Sequence, residues 1–211
     1  NTHNVPFTIG WSRDGRDSAL IPSKGAYQQV NIEVGTPVGS LEYYRAYYQH
    51  QYFQPLFKGN ILSFNAEIGY SNTYNNKPFP VTKNYYVGGI GSIRGFQPGS
   101  LGPKEDNKLS TPSNPLPQIP IGGASKAILN TEYTFPIPGS GVDRTLRIFG
   151  FFDMGNVYSS GINLSDVRKS AGFGLSWISP LGPLKFSYGK VINKKPEDLL
   201  QTFQFQIGTA F

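Results

Sequence analysis

Apolar and polar residues alternate along most of this chain with a period of two. The end of the chain shows the pattern clearly, because Phe203, Phe205 and Ile207 alternate with glutamine and glycine residues. Successive side chains of a strand point to opposite faces of a sheet, so this period predicts strands with one apolar and one polar face. We predict nine strands, at residues 5–13, 25–36, 40–54, 60–74, 124–136, 145–158, 170–177, 184–189 and 203–211.

Alternation alone fits two architectures. In a soluble β-sandwich the apolar faces form a core between two sheets, whereas in a membrane barrel they contact lipid and the polar faces line the lumen. Three features favour the barrel. Most of the strands run about 9 to 15 residues, long enough for a tilted crossing of about 9 to 11 residues, aromatic residues collect near strand ends, and the last strand ends on Phe211. We therefore expect an all-β, antiparallel transmembrane barrel from a bacterial outer membrane.

The predicted number of strands is odd, whereas single-chain bacterial barrels usually have an even number. In an up-and-down meander an odd number also leaves the first and last strands parallel. We therefore expect residues 1–211 to be the C-terminal part of a larger barrel domain. The alternative is an open sheet whose edges associate with another copy of the chain.

Composition excludes several other classes of protein. No stretch approaches the roughly 18 consecutive apolar residues that a membrane helix needs. The net charge of +6 comes from scattered basic residues, which gives no reason to expect a nucleic-acid partner. The chain has no cysteine, and its two histidines, His3 and His50, show no metal-binding spacing. We therefore expect neither a cofactor nor an enzymatic activity.

One predicted connection, residues 75–123, is far longer than the others and contains eight prolines that oppose regular strand pairing. A loop of this length is usually functional or disordered. Within it, the glycines of residues 88–96 permit a tight backbone path around a single arginine, Arg94. On spacing alone, the segment fits either a structured functional loop or a mobile loop with a solvated arginine.

Three motifs in the chain point to one family. Residues 93–96, Ile-Arg-Gly-Phe, are similar to the V/I-R-G-F tetrad of the superfamily that contains the BamA family and the two-partner-secretion transporters. Residues 151–155, Phe-Phe-Asp-Met-Gly, are similar to its F-x-D-x-G strand motif. Residues 170–184 and 203–209 resemble the closing strands of the BamA family. Because these motifs follow the family's order over the whole chain, the chain resembles that family, the central barrel subunits of the outer-membrane β-barrel assembly machinery.

The resemblance implies an assembly factor, an insertase that folds and inserts β-barrel proteins through a lateral gate at its C-terminal strand. The family's barrel has about sixteen strands, of which this chain would supply the last nine. The implied partners are outer-membrane lipid, client outer-membrane proteins and the accessory lipoproteins of the assembly complex. The alternative is a two-partner-secretion pore, although residues 178–184 favour the assembly factor. A passive porin is disfavoured, because the chain lacks a charged constriction cluster.

The first candidate site is a contact between the long loop and the barrel wall. Alternation places Asp153 and Glu132 on the lumenal side of neighbouring strands, and the planar fork of an arginine can pair with two carboxylates. The resemblance implies that Arg94 folds back into the lumen and binds both. The alternative is that the two acidic residues are ordinary solvated carboxylates. The residues of the expected contact are Arg94, Gly95, Phe96, Glu132, Asp153 and Gly155.

The second candidate site is the C-terminal strand. In the BamA family the first and last barrel strands pair weakly and can separate, and a client's own strand then pairs with the open edge. Gly208 lies inside the predicted strand, where a glycine weakens pairing or permits a kink. We expect Gly208 to let the end of the strand bend inward; the alternative is that it relieves crowding in the lumen. The expected gate residues are Phe203, Phe205, Ile207, Gly208 and Phe211.

Overall fold

The structure, a computed structural model, describes residues 3–39, 41–74, 79–111, 113–114, 116–137, 145–179 and 182–208. These residues contain strands and three short 3₁₀ helices, at Phe57–Gly59, Val81–Lys83 and Leu164–Asp166. Within them, no helix has the length and apolar character that crossing a bilayer requires. The strands are β1 Pro6–Asp14, β2 Gly25–Gly35, β3 Tyr43–Pro55, β4 Ile61–Thr73, β5 Gly95–Phe96, β6 Lys104–Glu105, β7 Ile119–Pro120, β8 Ser125–Pro136, β9 Leu146–Tyr158, β10 Arg168–Ser179, β11 Gly182–Asn193, β12 Leu200–Gln201 and β13 Phe203–Ile207.

Nine of these strands form a single sheet, in the order β1-β2-β3-β4-β8-β9-β10-β11-β13. Every pairing in this sheet is antiparallel, as in an up-and-down meander. The predictions of nine strands and of an all-β antiparallel architecture are therefore confirmed. The other four strands have two residues each and pair in twos, β5 with β12 and β6 with β7.

The last strand is shorter than predicted. The apolar and polar pattern predicts a strand over 203–211, but β13 ends at Ile207. The next residue, Gly208, has a φ of +87°, which lies outside the β region and suits glycine. The alternation of apolar and polar residues does not reveal that the backbone leaves the β region at Gly208, because glycine fits the small-residue side of the alternation. Phe211, predicted to end the strand, lies outside the described residues.

The two faces of the sheet differ as the alternation predicts. Ile128 and Asp153 are 4% and 0% exposed, whereas their sequence neighbours Leu129 and Phe152 are 40% and 38% exposed. The face that carries Ile128 and Asp153 is called the inner face below. The other face, the outer face, presents large apolar side chains on every strand, as a surface in contact with lipid does. Examples along the sheet are Phe7, Ile32, Tyr48, Phe64, Leu129, Phe152, Phe173, Tyr188 and Phe205.

The long connection between β4 and β8 packs against the inner face. Its buried apolar side chains meet one residue of β8 and one of β9 in a cluster formed by Tyr85, Val87, Ile93, Phe96, Leu101, Ile128 and Val157. Ile93 and Phe96 are fully buried. Removing these side chains from water fixes the path of the connection over the sheet. Its described part is therefore a packed element of the fold.

Two strands, β1 and β13, form the edges of the sheet, and no pairing joins them within the described residues. Every residue of β1 is exposed. An edge strand leaves a row of backbone N–H and C=O groups available for pairing with another strand. The sheet that the described residues form is therefore open.

Candidate functional site

The Arg94 side chain is positioned by a tight turn in the long connection. Gly88 donates its backbone N–H to Ser92 Oγ at 2.9 Å, and Gly89 donates its own to the Ile93 carbonyl at 3.1 Å. Ile93 is anchored in the apolar cluster. Because Ile93 precedes the arginine directly, this anchor holds Arg94 next to β8 and β9.

Arg94 contacts both carboxylates of the predicted site at once. Its Nε and Nη2 atoms donate to the two oxygens of Asp153, each at 2.7 Å. Its Nη1 donates to Glu132 Oε2 at 2.7 Å, and its backbone N–H donates to Asp153 at 3.0 Å. Arg94 is 3% exposed and Asp153 is 0% exposed. Every nitrogen of the guanidinium binds a carboxylate, in a forked geometry that lysine cannot reproduce.

Asn130 of β8 joins the turn to the wall, a role that sequence reasoning missed. Its Nδ2 donates to Asp153 Oδ1 at 2.9 Å and to the Ser92 carbonyl at 2.6 Å. Alternation places Asn130 on the inner face but does not identify its partner. The missing information is the strand register, since Asn130 lies directly opposite Asp153 in the β8–β9 pair.

Lys185 of β11 is a second residue that the sequence did not reveal as a partner. Its Nζ donates to Glu132 Oε2 at 2.9 Å, so this carboxylate binds two cations. The guanidinium carbon of Arg94 also lies 3.7 Å from the ring centre of Phe151, a distance typical of a cation–π contact. Together these residues form what we call the Arg94 cluster, composed of Arg94, Asn130, Glu132, Phe151, Asp153 and Lys185.

The charges of the Arg94 cluster balance one another. Arg94 and Lys185 supply two positive charges, and Glu132 and Asp153 supply two negative ones. Burial acts to lower the pKa of Arg94, but its hydrogen bonds to Asp153 and the two negative charges outweigh burial and raise that pKa above its ordinary value. Arg94 therefore remains charged, and removing Arg94 would leave the buried carboxylate of Asp153 without a positively charged partner, which is the costly case.

Gly155 and Gly95 both lie in closely packed surroundings near the Arg94 turn. A Cβ atom at Gly155 would lie 2.4 Å from the Ala127 carbonyl oxygen. Gly95 has a φ of +90°, and its Cβ would lie 3.1 Å from Val191 Cγ2. Phe96 is fully buried in the apolar cluster. The structure therefore places all six loop-to-wall residues in one contiguous region: Arg94, Gly95, Phe96, Glu132, Asp153 and Gly155.

The predicted gate residues lie apart from the Arg94 cluster. Phe203, Phe205 and Ile207 lie on the outer face of β13 and are 58%, 62% and 68% exposed. Among the described strands, β13 pairs with β11 alone, over its five residues. Gly208 donates its backbone N–H to the Pro183 carbonyl at 2.8 Å. The position of Phe211 lies outside the described residues.

A cavity of about 470 Å³ lies between the long connection and the inner face. Charged and amide side chains line much of it, including those of Glu67, Arg94, Glu132, Lys185 and Gln206. In the described part of the chain, no three His, Cys, Asp or Glu side chains are grouped so that they could hold a metal ion. The charged atoms of the Arg94 cluster bind one another, so the chemistry of the arrangement is to fix the connection to the sheet.

Arg94→Lys is expected to lower the stability of the folded protein by about 2 kcal/mol, because lysine keeps the charge but loses charge-assisted hydrogen bonds to Asp153 or Glu132. The measurement is a urea titration of the full-length protein in lipid vesicles, followed by electrophoresis that separates folded from unfolded protein. Arg13→Lys is the matched control, because Arg13 is an exposed arginine of β1. Equal midpoints for the two variants would contradict the importance of the forked geometry.

Comparison with known proteins supports the family that the motifs suggest. Residues 1–211 match the model of the Omp85 superfamily domain. The outer membrane protein assembly factor BamA of Neisseria meningitidis serogroup B is 38% identical over 231 residues, which cover 97% of this chain and 28% of that protein. BamA of Nitratidesulfovibrio vulgaris is 28% identical, over 96% of this chain and 25% of that protein. The chain therefore spans about a quarter of the length of these two relatives.

A solved structure has the same architecture. The crystal structure of BamA from Haemophilus ducreyi lacking POTRA domains 1–3 matches with a TM-score of 0.85 and 26% sequence identity, over 95% of this chain and 41% of that chain. The nine-stranded sheet thus corresponds to part of a BamA barrel. The family model, the sequence relatives and the solved structure all match this chain over nearly its whole length. The chain belongs to the Omp85 superfamily of outer-membrane β-barrel proteins.

Proposed function

We propose that this chain forms part of the barrel of an assembly factor that folds and inserts β-barrel proteins into the bacterial outer membrane. The observation that carries the proposal is the 38% identity to the Neisseria meningitidis assembly factor over 97% of the chain. The contact of Arg94 with Asp153 and Glu132 supports it, because the two family motifs meet there. The nine strands would form the C-terminal part of that barrel, with the long connection, residues 75–123, extracellular and folded into the lumen.

The proposed mechanism is strand pairing at an open edge. β13 pairs with β11 over five residues and lies at the edge of the sheet, so its other side offers backbone groups to an incoming strand. A client strand that pairs there completes its hydrogen bonds before it leaves water. Such a mechanism breaks no covalent bond, so we propose a physical insertase that needs no cofactor. Its gate strand carries Phe203, Phe205, Ile207, Gly208 and Phe211.

The proposed partners follow from the two surfaces of the sheet. Outer-membrane lipid would cover the exposed aromatic outer face, and client outer-membrane proteins would pair at β13. Accessory lipoproteins of an assembly complex are proposed from the resemblance of the motifs alone, because no described surface identifies them. In isolation, residues 1–211 would associate with another copy through the edges of β1 and β13.

Gly208→Val is expected to reduce client insertion severely if Gly208 is the hinge of the gate strand. No described atom beyond its chain neighbours lies within 4 Å of a Cβ built at Gly208, so its φ of +87° and not crowding disfavours a side chain there. Gly161→Val is the matched control, because Gly161 has equally open surroundings and no positive φ. Unchanged insertion by Gly208→Val would contradict the hinge.

The function itself is tested with the full-length protein in lipid vesicles. We expect it to accelerate the folding of an unfolded outer-membrane barrel protein, measured by protease protection. We also expect depletion of the parent gene in cells to reduce many outer-membrane proteins together. Large ion conductance without acceleration of client folding would instead indicate a transport pore.

A further inference from the structure

We propose that residues 194–204 couple the long connection to the C-terminal strand, with Gln204 as the positioning residue that joins them. The inference rests on the proposed function, because it concerns what holds the gate strand. Three sets of contacts carry it: a strand pair beside Arg94, a buried side chain of β13, and an ion pair that fixes the start of the segment.

The first contact is the pairing of β12 with β5. Leu200 lies opposite Phe96, and Gln201 lies opposite Gly95. Gln97 extends the pair by donating its backbone N–H to the carbonyl of residue 199 at 2.9 Å. The backbone directly after Arg94 is thus hydrogen-bonded to the backbone that leads directly into β13.

The second contact comes from β13 itself. Gln204 points to the inner face, is 3% exposed, and donates from Nε2 to the Phe96 carbonyl at 2.6 Å. Its Oε1 has no hydrogen-bond partner within the described residues, so a single hydrogen bond holds the amide. Gln206 shares the strand and the face but lines the open cavity. Gln204 is therefore the side chain through which β13 contacts the long connection.

The third contact fixes the segment to the rest of the sheet. Asp198 accepts hydrogen bonds from Arg168 Nε at 2.7 Å and Arg168 Nη2 at 3.4 Å, and its side chain is 2% exposed. Lys195 donates its backbone N–H to the same carboxylate at 2.7 Å. At the other end of the segment, the Thr202 carbonyl accepts from the Gly189 N–H at 2.8 Å. Residues 198–202 are thus held at both ends, while Leu200 and Gln201 between them pair with β5.

Through these contacts the long connection binds the gate strand directly. β13 has only five residues paired with β11, so its bond to Phe96 is a substantial share of its attachment. If the strand moves away from β11, the bond between Gln204 and Phe96 must break or the turn must follow. Since coupling between two positions is reciprocal, a change in the Arg94 turn also alters how firmly β13 is held.

The test is hydrogen–deuterium exchange of the full-length protein in lipid vesicles without client. Gln204→Leu removes the donor at similar volume. We expect about fivefold faster exchange both in β13 and in residues 95–101, the factor that loss of one net hydrogen bond allows. Gln206→Leu, on the same face of the same strand, should change neither region.

A second pair of variants covers the case in which Gln204→Leu does not fold. Gln204→Asn keeps the amide but is too short to reach Phe96, and Asp198→Asn weakens the distant anchor without touching the Arg94 cluster. Each should accelerate exchange in both regions. Faster exchange in β13 with an unchanged 95–101 region, or equal effects from Gln206→Leu, would overturn the coupling.

Client folding is measured on the same preparations to separate the two proposals. If the unmodified protein inserts clients but the two regions exchange independently, the coupling is wrong and the function stands. If the regions exchange together but no client is inserted, the coupling stands and the proposed function is wrong.

Discussion

Asp153→Asn is expected to destabilise the folded protein by about 3 kcal/mol, because the buried guanidinium of Arg94 loses its two-oxygen acceptor and keeps only Glu132 as a negatively charged partner. Asp153 is fully buried, and its oxygens accept hydrogen bonds from Arg94 Nε and Nη2 and from Asn130. Asparagine has nearly the same shape but no charge and only one acceptor oxygen, so a guanidinium nitrogen loses its acceptor. The guanidinium of Arg94 does not lose its proton, so it stays charged when this acceptor is lost. The measurement is the urea midpoint of the full-length protein in lipid vesicles.

Glu105→Gln is the matched control, because it removes one negative charge from an exposed residue of the same connection. We expect it to stay within about 0.5 kcal/mol of the unmodified protein. The double variant Arg94→Met with Asp153→Asn should be less unstable than the two single changes added together, because neither charge is then left alone. If Asp153→Asn behaves like Glu105→Gln, the Arg94 cluster does not hold the connection in place.

Gly155→Val is expected to lower the yield of folded protein strongly. A Cβ at this position would lie 2.4 Å from the Ala127 carbonyl oxygen and 2.9 Å from Ile128 Cα, and both atoms belong to the backbone of β8. Backbone cannot move aside as a flexible side chain can, so the β8–β9 pairing must distort. Overpacking costs typically about 1–3 kcal/mol, and a clash with backbone lies at the upper end of that range. The measurement is the yield of folded protein, seen as the fast-migrating band in electrophoresis without heating.

Gly150→Val provides the comparison on the same strand. The nearest atom to a Cβ at Gly150 is the Gly172 carbonyl oxygen at 3.9 Å, an ordinary contact distance, and Gly150 points away from the Arg94 cluster. We expect this variant to fold in nearly normal yield. Equal yields for the two glycine variants would show that close packing at Gly155 is not required.

The long strands of the sheet were predictable because each of them spans several periods of the alternation. In β8, for example, alternation separates buried Ile128 from exposed Leu129, and in β9 it separates buried Asp153 from exposed Phe152. The end of β13 was not predictable in the same way, since a positive φ at Gly208 leaves the alternation unchanged. Period-two patterns therefore locate strands but not the backbone turns that end them.

The residues of the candidate site were predictable where they belong to a motif or to a clearly alternating strand. Arg94, Asp153 and Glu132 come from the motifs and the strand alternation, and the structure places their side chains in contact. Lys185 and Gln204 did not emerge, because their contacts depend on the register of several strands and on the path of the long connection. The two-residue strands β5 and β12 are also too short to produce any period.

The span of the Arg94 and Gln204 contacts along the sequence has a consequence for biogenesis. Arg94 meets Asp153 across 59 residues, and Phe96 meets Gln204 across 108 residues. Contacts between such distant positions form late, because the chain between them must first be ordered. The long connection can therefore be fully secured only after the last strand has joined the sheet. Pairing of β13 with the sheet and fixation of the long connection would then be a single, late event in folding.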